Sequence, residues 1–393
     1  MKFTVPTKEF MNALDRVTVI AKKKTRIQIF EYIKITANQV ENTVTMETQQ
    51  IDEHLKISVP GANVIEGGFA FINYNETKYI KVKDSMLMVE CSEEKYFTIS
   101  TGKKKCELVA ENDRYEKEMP EAHSAVLPAI RVDKSDLLET FKNVAAGLSD
   151  NPNKPVYQSY FLDPKHHVIV TCDGFIMVKR NVEWDFVKED YSGMLIRGID
   201  SGYLTNLKKI VDYKTKETIE IRVSEDGKYG AFVGGDFEYT FMLTEGEFFD
   251  YSLAIDPVKE ENLRFKLNIP AAYETFKEFA DIDSHMSKGA IIAMIGDNLT
   301  VGFGTSRFKT MEILEHTGEI SEDFVKMINP HFMSRILGVL KNDSKIQDHI
   351  VITSDNSLKP IYIQQGEYEC MIVPMRMQDE HSEAILSYMK KSA

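Results

Sequence analysis

Thr7-Lys8-Glu9-Phe10-Met11-Asn12-Ala13-Leu14-Asp15-Arg16-Val17 is the stretch from which the fold can be read, because the chain repeats its pattern three times. Phe10, Leu14 and Val17 follow one another at i, i+4 and i+7, the spacing that lines up apolar side chains on one face of a helix. Asp133-Lys134-Ser135-Asp136-Leu137-Leu138-Glu139-Thr140-Phe141-Lys142-Asn143-Val144 places Leu137, Phe141 and Val144 in the same way. Pro270-Ala271-Ala272-Tyr273-Glu274-Thr275-Phe276-Lys277-Glu278-Phe279 does so with Ala272, Phe276 and Phe279. Thr7 and Asp133 suit helix caps, and Pro270 suits a first turn, where no backbone donor is needed. Each copy is expected to carry a second short helix, over 69–80, 201–211 and 331–341, the last announced by Asn329-Pro330. Equivalent positions lie about 130 residues apart, so three units fill the chain.

Between these helices the apolar period falls to two. Lys81-Val82-Lys83 through Met86-Leu87-Met88-Val89-Glu90, Thr218-Ile219-Glu220-Ile221-Arg222-Val223 and His349-Ile350-Val351-Ile352-Thr353 read as half-buried strands. Asp226-Gly227 and Gly234-Gly235-Asp236 mark turns. The implied class is α+β: three repeats, each with two helices packed on antiparallel sheets. Repeats that each present a sheet edge can remove their edges by closing into a ring.

Composition narrows the function. Hydrophobic residues at 43% and charged residues at 28% describe a folded globular chain of several domains. No run reaches the roughly 18 apolar residues of a membrane helix, and Met1-Lys2-Phe3-Thr4-Val5-Pro6 lacks a secretory apolar core. Cys91, Cys106, Cys172 and Cys370 are scattered, which argues against a metal or disulfide framework and for a reducing cytoplasm. The net charge of −13 opposes nucleic-acid binding only if the charge is evenly spread, since an acidic total can hide a basic inner surface.

No pattern supports catalysis. Gly302-Phe303-Gly304 lacks the third glycine of a dinucleotide loop and reads as a strand turn. His166-His167 fall in a hairpin without metal-ligand spacing. No acid/base pair stands out, so no catalytic residue, metal or cofactor is expected.

Four segments resemble one known family, the beta subunit of bacterial DNA polymerase III (the beta sliding clamp). Met1-Lys2-Phe3-Thr4-Val5 is similar to its opening, and Val170-Thr171-Cys172-Asp173-Gly174-Phe175-Ile176-Met177 to its Thr-Asp-Gly-His-Arg-Leu segment. Glu245-Gly246-Glu247-Phe248-Phe249-Asp250-Tyr251 resembles its Glu-Gly-x-Phe-Pro-Asp-Tyr junction, and Ile372-Val373-Pro374-Met375-Arg376-Met377 its terminal Met-Pro-Met-Arg-Leu. All four occur in family order on a triplicated chain.

The resemblance implies three clamp domains, 1–125, 126–255 and 256–377, in a head-to-tail homodimeric ring with helices lining the hole. It implies a DNA sliding clamp, a non-catalytic processivity factor docking polymerase catalytic subunit, clamp loader and other motif-bearing proteins. Their shared pocket would use Cys172, Gly174, Phe175, Ile176 and Met177; Phe249, Leu253 and Ala254; and Leu358, Pro360, Met371, Val373, Pro374 and Met375. Cys106 and Leu108 would meet Phe279 and Ile282 of a second copy. Cys172, Phe175 and Ile176 replace the family's polar residues, Phe249 its junction proline and Leu253 its junction arginine, so the pocket is expected to be more apolar. Residues 378–393 run past the family's usual end; Ile385, Leu386 and Met389 form an apolar stripe expected to pack as a helix near the pocket and modulate access.

A clamp needs cations facing double-stranded DNA. The run Lys22, Lys23, Lys24 and Arg26, together with Lys142, Lys208, Lys209, Lys277, Arg335 and Lys341 on or beside the repeated helices, is the candidate set. The alternative readings are a clamp-fold peptide-binding scaffold without DNA loading, and a duplicated-domain enzyme.

Overall fold

The computed structural model describes the 393-residue chain except for residues 22–25, 93–94, 113–114, 117–119, 121, 188–192, 199–201, 212–216, 260–263, 284–288, 306, 319, 321–322, 342–349, 353–357, 378–379 and 393. The repeated stripes form helices because each buries its apolar face. Phe10, Leu14 and Val17 are buried on α1 (Thr7–Ala21), Leu137, Phe141 and Val144 on α2 (Lys134–Val144). The second short helices are α3 (Tyr203–Ile210) and, in the last repeat, α6 (Pro330–Lys341); α4 (Ser252–Lys259) and α5 (Ile269–Ile282) lie between them in the chain. Asp133 caps α2 as expected, its Oδ1 accepting from Ser135 N at 2.8 Å. Thr7 does not cap α1: it is the first helical residue, and its Oγ1 has no partner among the described residues.

Two compact units emerge. The first comprises Met1–Leu138, Trp184–Glu189 and Ser201–Leu243. It holds a five-stranded antiparallel sheet in the order Asn63–Glu66, Lys2–Pro6, Met86–Cys91, Tyr96–Ser100, Lys105–Val109. Its nine-stranded sheet joins strands of the first and central repeats at one seam, where Phe237–Met242 runs antiparallel to Glu53–Ser58 with Tyr239 opposite Leu55. Tyr32–Asn38 shows the strict alternation that decides a strand's face, with Ile33, Ile35 and Ala37 inward.

The second unit comprises Glu139–Glu183, Asp190–Asp200 and Thr244–Ala393. Its nine-stranded sheet is built the same way. Ile176–Asn181 of the central repeat pairs with Tyr368–Ile372 of the last, with Ile176 opposite Ile372 and Met177 opposite Met371. A four-stranded sheet runs Lys309–Leu314, Asn298–Gly304, Ala290–Ile295, Val325–Ile328. Helices α5 and α6 pack together. Residues Glu380–Ser392 form a last helix, α7.

Three further sequence expectations need correction. Residues 69–80 are not one helix. Gly68–Asn73 is a strand paired with Tyr32–Asn38, and only Tyr74–Tyr79 turns, as a 3-10 helix opened by Asn73 Oδ1 accepting from Asn75 N at 2.8 Å. The run Phe69-Ala70-Phe71-Ile72 satisfies strand pairing, which outweighed its weaker helical spacing. Lys81-Val82-Lys83 lies outside the strand, which begins at Met86. Gly302-Phe303-Gly304 is the end of a strand rather than a turn; the turn follows, closed by Thr305 N donating to Phe308 O at 2.8 Å. No described helix is long and apolar enough to cross a membrane.

Candidate partner-docking site

The hairpin joining Val168–Cys172 to Ile176–Asn181 sets the site. Asp173 Oδ1 accepts from Phe175 N at 2.7 Å and Ile176 N at 2.8 Å, and Gly174 takes the positive φ of 97° that the tight bend demands. The bend throws Phe175 outward, 58% exposed, where it stacks on Phe332 of α6 at 6.0 Å. Val373 N donates to Phe175 O at 2.8 Å, which ties the end of the last repeat to this turn. Phe332 was not anticipated, since the two rings are brought together only by strand pairing between repeats.

Alternation along the strands divides the expected pocket residues. Cys172, Met177 and Met371 are buried in one cluster with Val170, Tyr251 and Tyr362, against which Phe249 and Ala254 pack half-buried. Ile176 is buried as well. Leu253 on α4, Leu358, and Val373 are exposed at 75%, 58% and 36%, while Pro360, Pro374 and Met375 are half-buried. The expected residues thus divide into exposed apolar side chains and buried ones. Burial pushes the Cys172 thiol up to about 11, which keeps it protonated and unreactive at neutral pH.

A cavity of about 560 Å³ is lined by Phe249, alone among the expected pocket residues, and by Ser252 and Ile255 on either side of Leu253 and Ala254. Phe161 and Phe248 stack at 4.8 Å on its wall, and Phe249 lies 4.9 Å from Phe248. A polar network lines the same cavity. Asp163 Oδ2 accepts from Tyr251 Oη at 2.7 Å and lies 2.8 Å from His166 Nδ1. Burial opposes the Asp163 charge, yet hydrogen bonds from His166 and Tyr251 hold its carboxyl below the usual range. Burial first, then Asp163, raises the Tyr251 hydroxyl. His166 does lie in the expected hairpin, with His167 at φ 52°. Among the described residues no group of three or more His, Cys, Asp or Glu is placed to hold a metal.

The cationic set is only partly described: Lys22, Lys23 and Lys24 lie outside the described residues. Arg26, Lys142 on α2, and Lys208 and Lys209 in the last turn of α3 are exposed. On α5 and α6 the charges are partly engaged. Lys277 pairs with Asp281 at 2.6 Å, and Lys341 pairs with Glu274 at 2.5 Å while lying 4.3 Å over the Tyr273 ring. Arg335 is half-buried and donates to Leu148 O at 3.0 Å.

Of the expected subunit contacts, Cys106 is half-buried and Leu108 buried on Lys105–Val109, the edge strand of its sheet. Phe279 is buried and stacked on Phe303 at 5.2 Å, whereas Ile282 at the end of α5 is exposed.

Helix α7 lies on the four-stranded sheet. Ile385 and Met389 are fully buried against Ile291 and Ala293, and Leu386 packs half-buried beside them. Gly302 makes the seat, since a Cβ there would stand 2.3 Å from Met389 Sδ. Met375 and Met377 border the same cluster, and no residue of the helix lines the cavity.

No family model and no curated protein matches the amino-acid sequence. Solved structures do match. The chain is similar to the DNA polymerase sliding clamp of Bacillus subtilis, with TM-score 0.78 at 18% identity, and to that of Caulobacter crescentus, with TM-score 0.79 at 15%. In both cases 96% of this chain and 100% of the other are covered. A sliding clamp from Bartonella birtlesii, DNA polymerase III subunit beta bound to griselimycin, matches with TM-score 0.75 at 17% identity over the same shares. The chain has the fold of the bacterial DNA polymerase III beta subunit.

Proposed function

We propose that this chain is a sliding clamp: a non-catalytic homodimeric ring, cytoplasmic, that encloses double-stranded DNA and holds a DNA polymerase on it. The carrying observation is a fold likeness that spans 96% of the chain and all of each solved clamp. In this reading residues 1–125, 126–255 and 256–377 are the three clamp domains, and 378–393 is an extension. Subunits meet head to tail, with Cys106 and Leu108 near Ile282, and with Phe279 supporting the contact from beneath. Lys105–Val109 and Lys309–Leu314 each end a sheet, leaving backbone donors and acceptors for another strand.

Holding DNA by enclosure needs only loose, sequence-independent phosphate contacts, the role assigned to Arg26, Lys142, Lys208, Lys209, Lys277, Arg335, Lys341 and the run Lys22–Lys24. An acidic remainder is compatible with this, because it keeps DNA from unproductive faces. Polymerase, clamp loader and other partners dock through short peptides on the exposed Phe175, Leu253, Leu358 and Val373 and the buried Cys172, Met177 and Met371, with Ile176 backing them from the other face of its strand. Gly174, Phe249, Ala254, Pro360, Pro374 and Met375 shape the same surface, and α7 beside it tunes access. Light scattering tests the assembly: the mass expected is twice the 45.0 kDa chain. A monomer at every concentration contradicts the ring.

A further inference from the structure

The cavity that Phe249 shares with the proposed docking surface carries charge. Three carboxylates, Asp163, Asp250 and Asp256, line the cavity. Two lysines line it too, but Lys179 is taken up by Glu369 at 3.0 Å, leaving Lys165 as the lysine without an ion pair among the described residues. Asp256 is exposed on α4 and has no ion pair among the described residues either. Asp250 accepts from the Ser252 hydroxyl and from Ser252 N at 3.1 Å, bonds that with nearby His166 hold its carboxyl below the usual range, and it forms no ion pair among the described residues. The neighbouring tyrosine reports the same field: after burial, Asp163, Asp250 and Glu369 all push its hydroxyl upward. Phe161, Phe248 and Phe249 line the same cavity, the first two stacked on each other. Aromatic faces and carboxylates both attract a cation, the first through the ring quadrupole and the second by charge.

We infer that the peptide segment accepted here carries an arginine or lysine beside its apolar anchor, with the cation seated between the Phe161–Phe248 wall and the Asp250–Asp256 side. The inference rests on the docking reading above and adds the charge of the partner to it. A cavity of about 560 Å³ holds an aromatic anchor and a neighbouring guanidinium together. Partners with an acidic residue at that place are disfavoured, since like charge suppresses the wrong ligand.

The test uses the full-length protein and two fluorescein-labelled peptides that share a Phe anchor and differ only in Arg or Glu beside it, followed by anisotropy. The Arg peptide is expected to bind at least fivefold tighter at low salt. D256N should reduce that preference about threefold, and K165E should increase it, each a change within the range of a rim charge. Equal binding of the two peptides, tighter binding of the Glu peptide, or a preference untouched by both variants overturns the charge inference and leaves docking standing. Binding of neither peptide overturns the docking reading, and this inference with it.

Discussion

The second unit has two apolar faces, and the chain treats them differently. On the four-stranded sheet, Ile291, Ala293 and Gly302 are covered by Ile385 and Met389 of α7. Bordering the nine-stranded sheet, Phe175, Leu253, Leu358 and Val373 stay exposed, although Cys172, Met177 and Met371 of that sheet are buried. Apolar composition alone does not separate core from contact surface. What separates them is whether another part of the chain arrives to cover the face. A covered face stabilises the fold, and an uncovered one is a candidate contact surface.

Removing residues 378–393 breaks the comparison most severely. Two fully buried side chains leave and their seat is exposed, so unfolding stability should fall by about 3–6 kcal/mol. Chemical denaturation reads this, and unchanged stability would place α7 off the sheet. Met389→Ala is the milder form, expected to cost about 2–4 kcal/mol through the cavity it leaves over Gly302. Leu253→Ser on the open face should do the reverse. Its side chain is 75% exposed, so stability stays within about 0.5 kcal/mol while partner-peptide affinity falls about fivefold. A stability loss matching that of Met389→Ala would erase the distinction between the faces.

The smallest effect concerns the cavity's polar side. The folded carboxyl of Asp163 is held low by His166 and Tyr251, so its contribution is present above the unfolded pKa and is lost as pH falls through the folded value. The stability gap between the wild type and Asp163→Asn, about 1 kcal/mol near pH 7, should therefore close on acidification. A gap that widens toward low pH would mean that the Asp163 carboxyl is held above, not below, its usual range.

How legible these regions were follows from sequence distance. The triplicated stripe is local, and residues such as Phe10, Leu14, Val17 and Phe276 are buried where the i, i+4, i+7 spacing puts them. The helical stripe of Ile385 and Met389 was equally plain, but its seat was not, because Gly302 is recognised as a seat only once strand and helix meet. The pairing of Phe175 with Phe332, and of Asp163 with Tyr251, depends on strand registers set far apart in the chain. Residues 69–80 misled because a run of alternating aromatic and small residues fits both periods, and long-range pairing with Tyr32–Asn38 decided between them.

Enclosure of DNA is tested most directly by topology. Protein loaded by a clamp loader onto a nicked DNA circle is washed in high salt, and the circle is then cut once with a restriction enzyme. The expected result is retention on the circle through the wash and release on cutting, because a ring held by linkage ignores salt but slides off an end. Loss in the salt wash, or retention on the linear product, would contradict the ring.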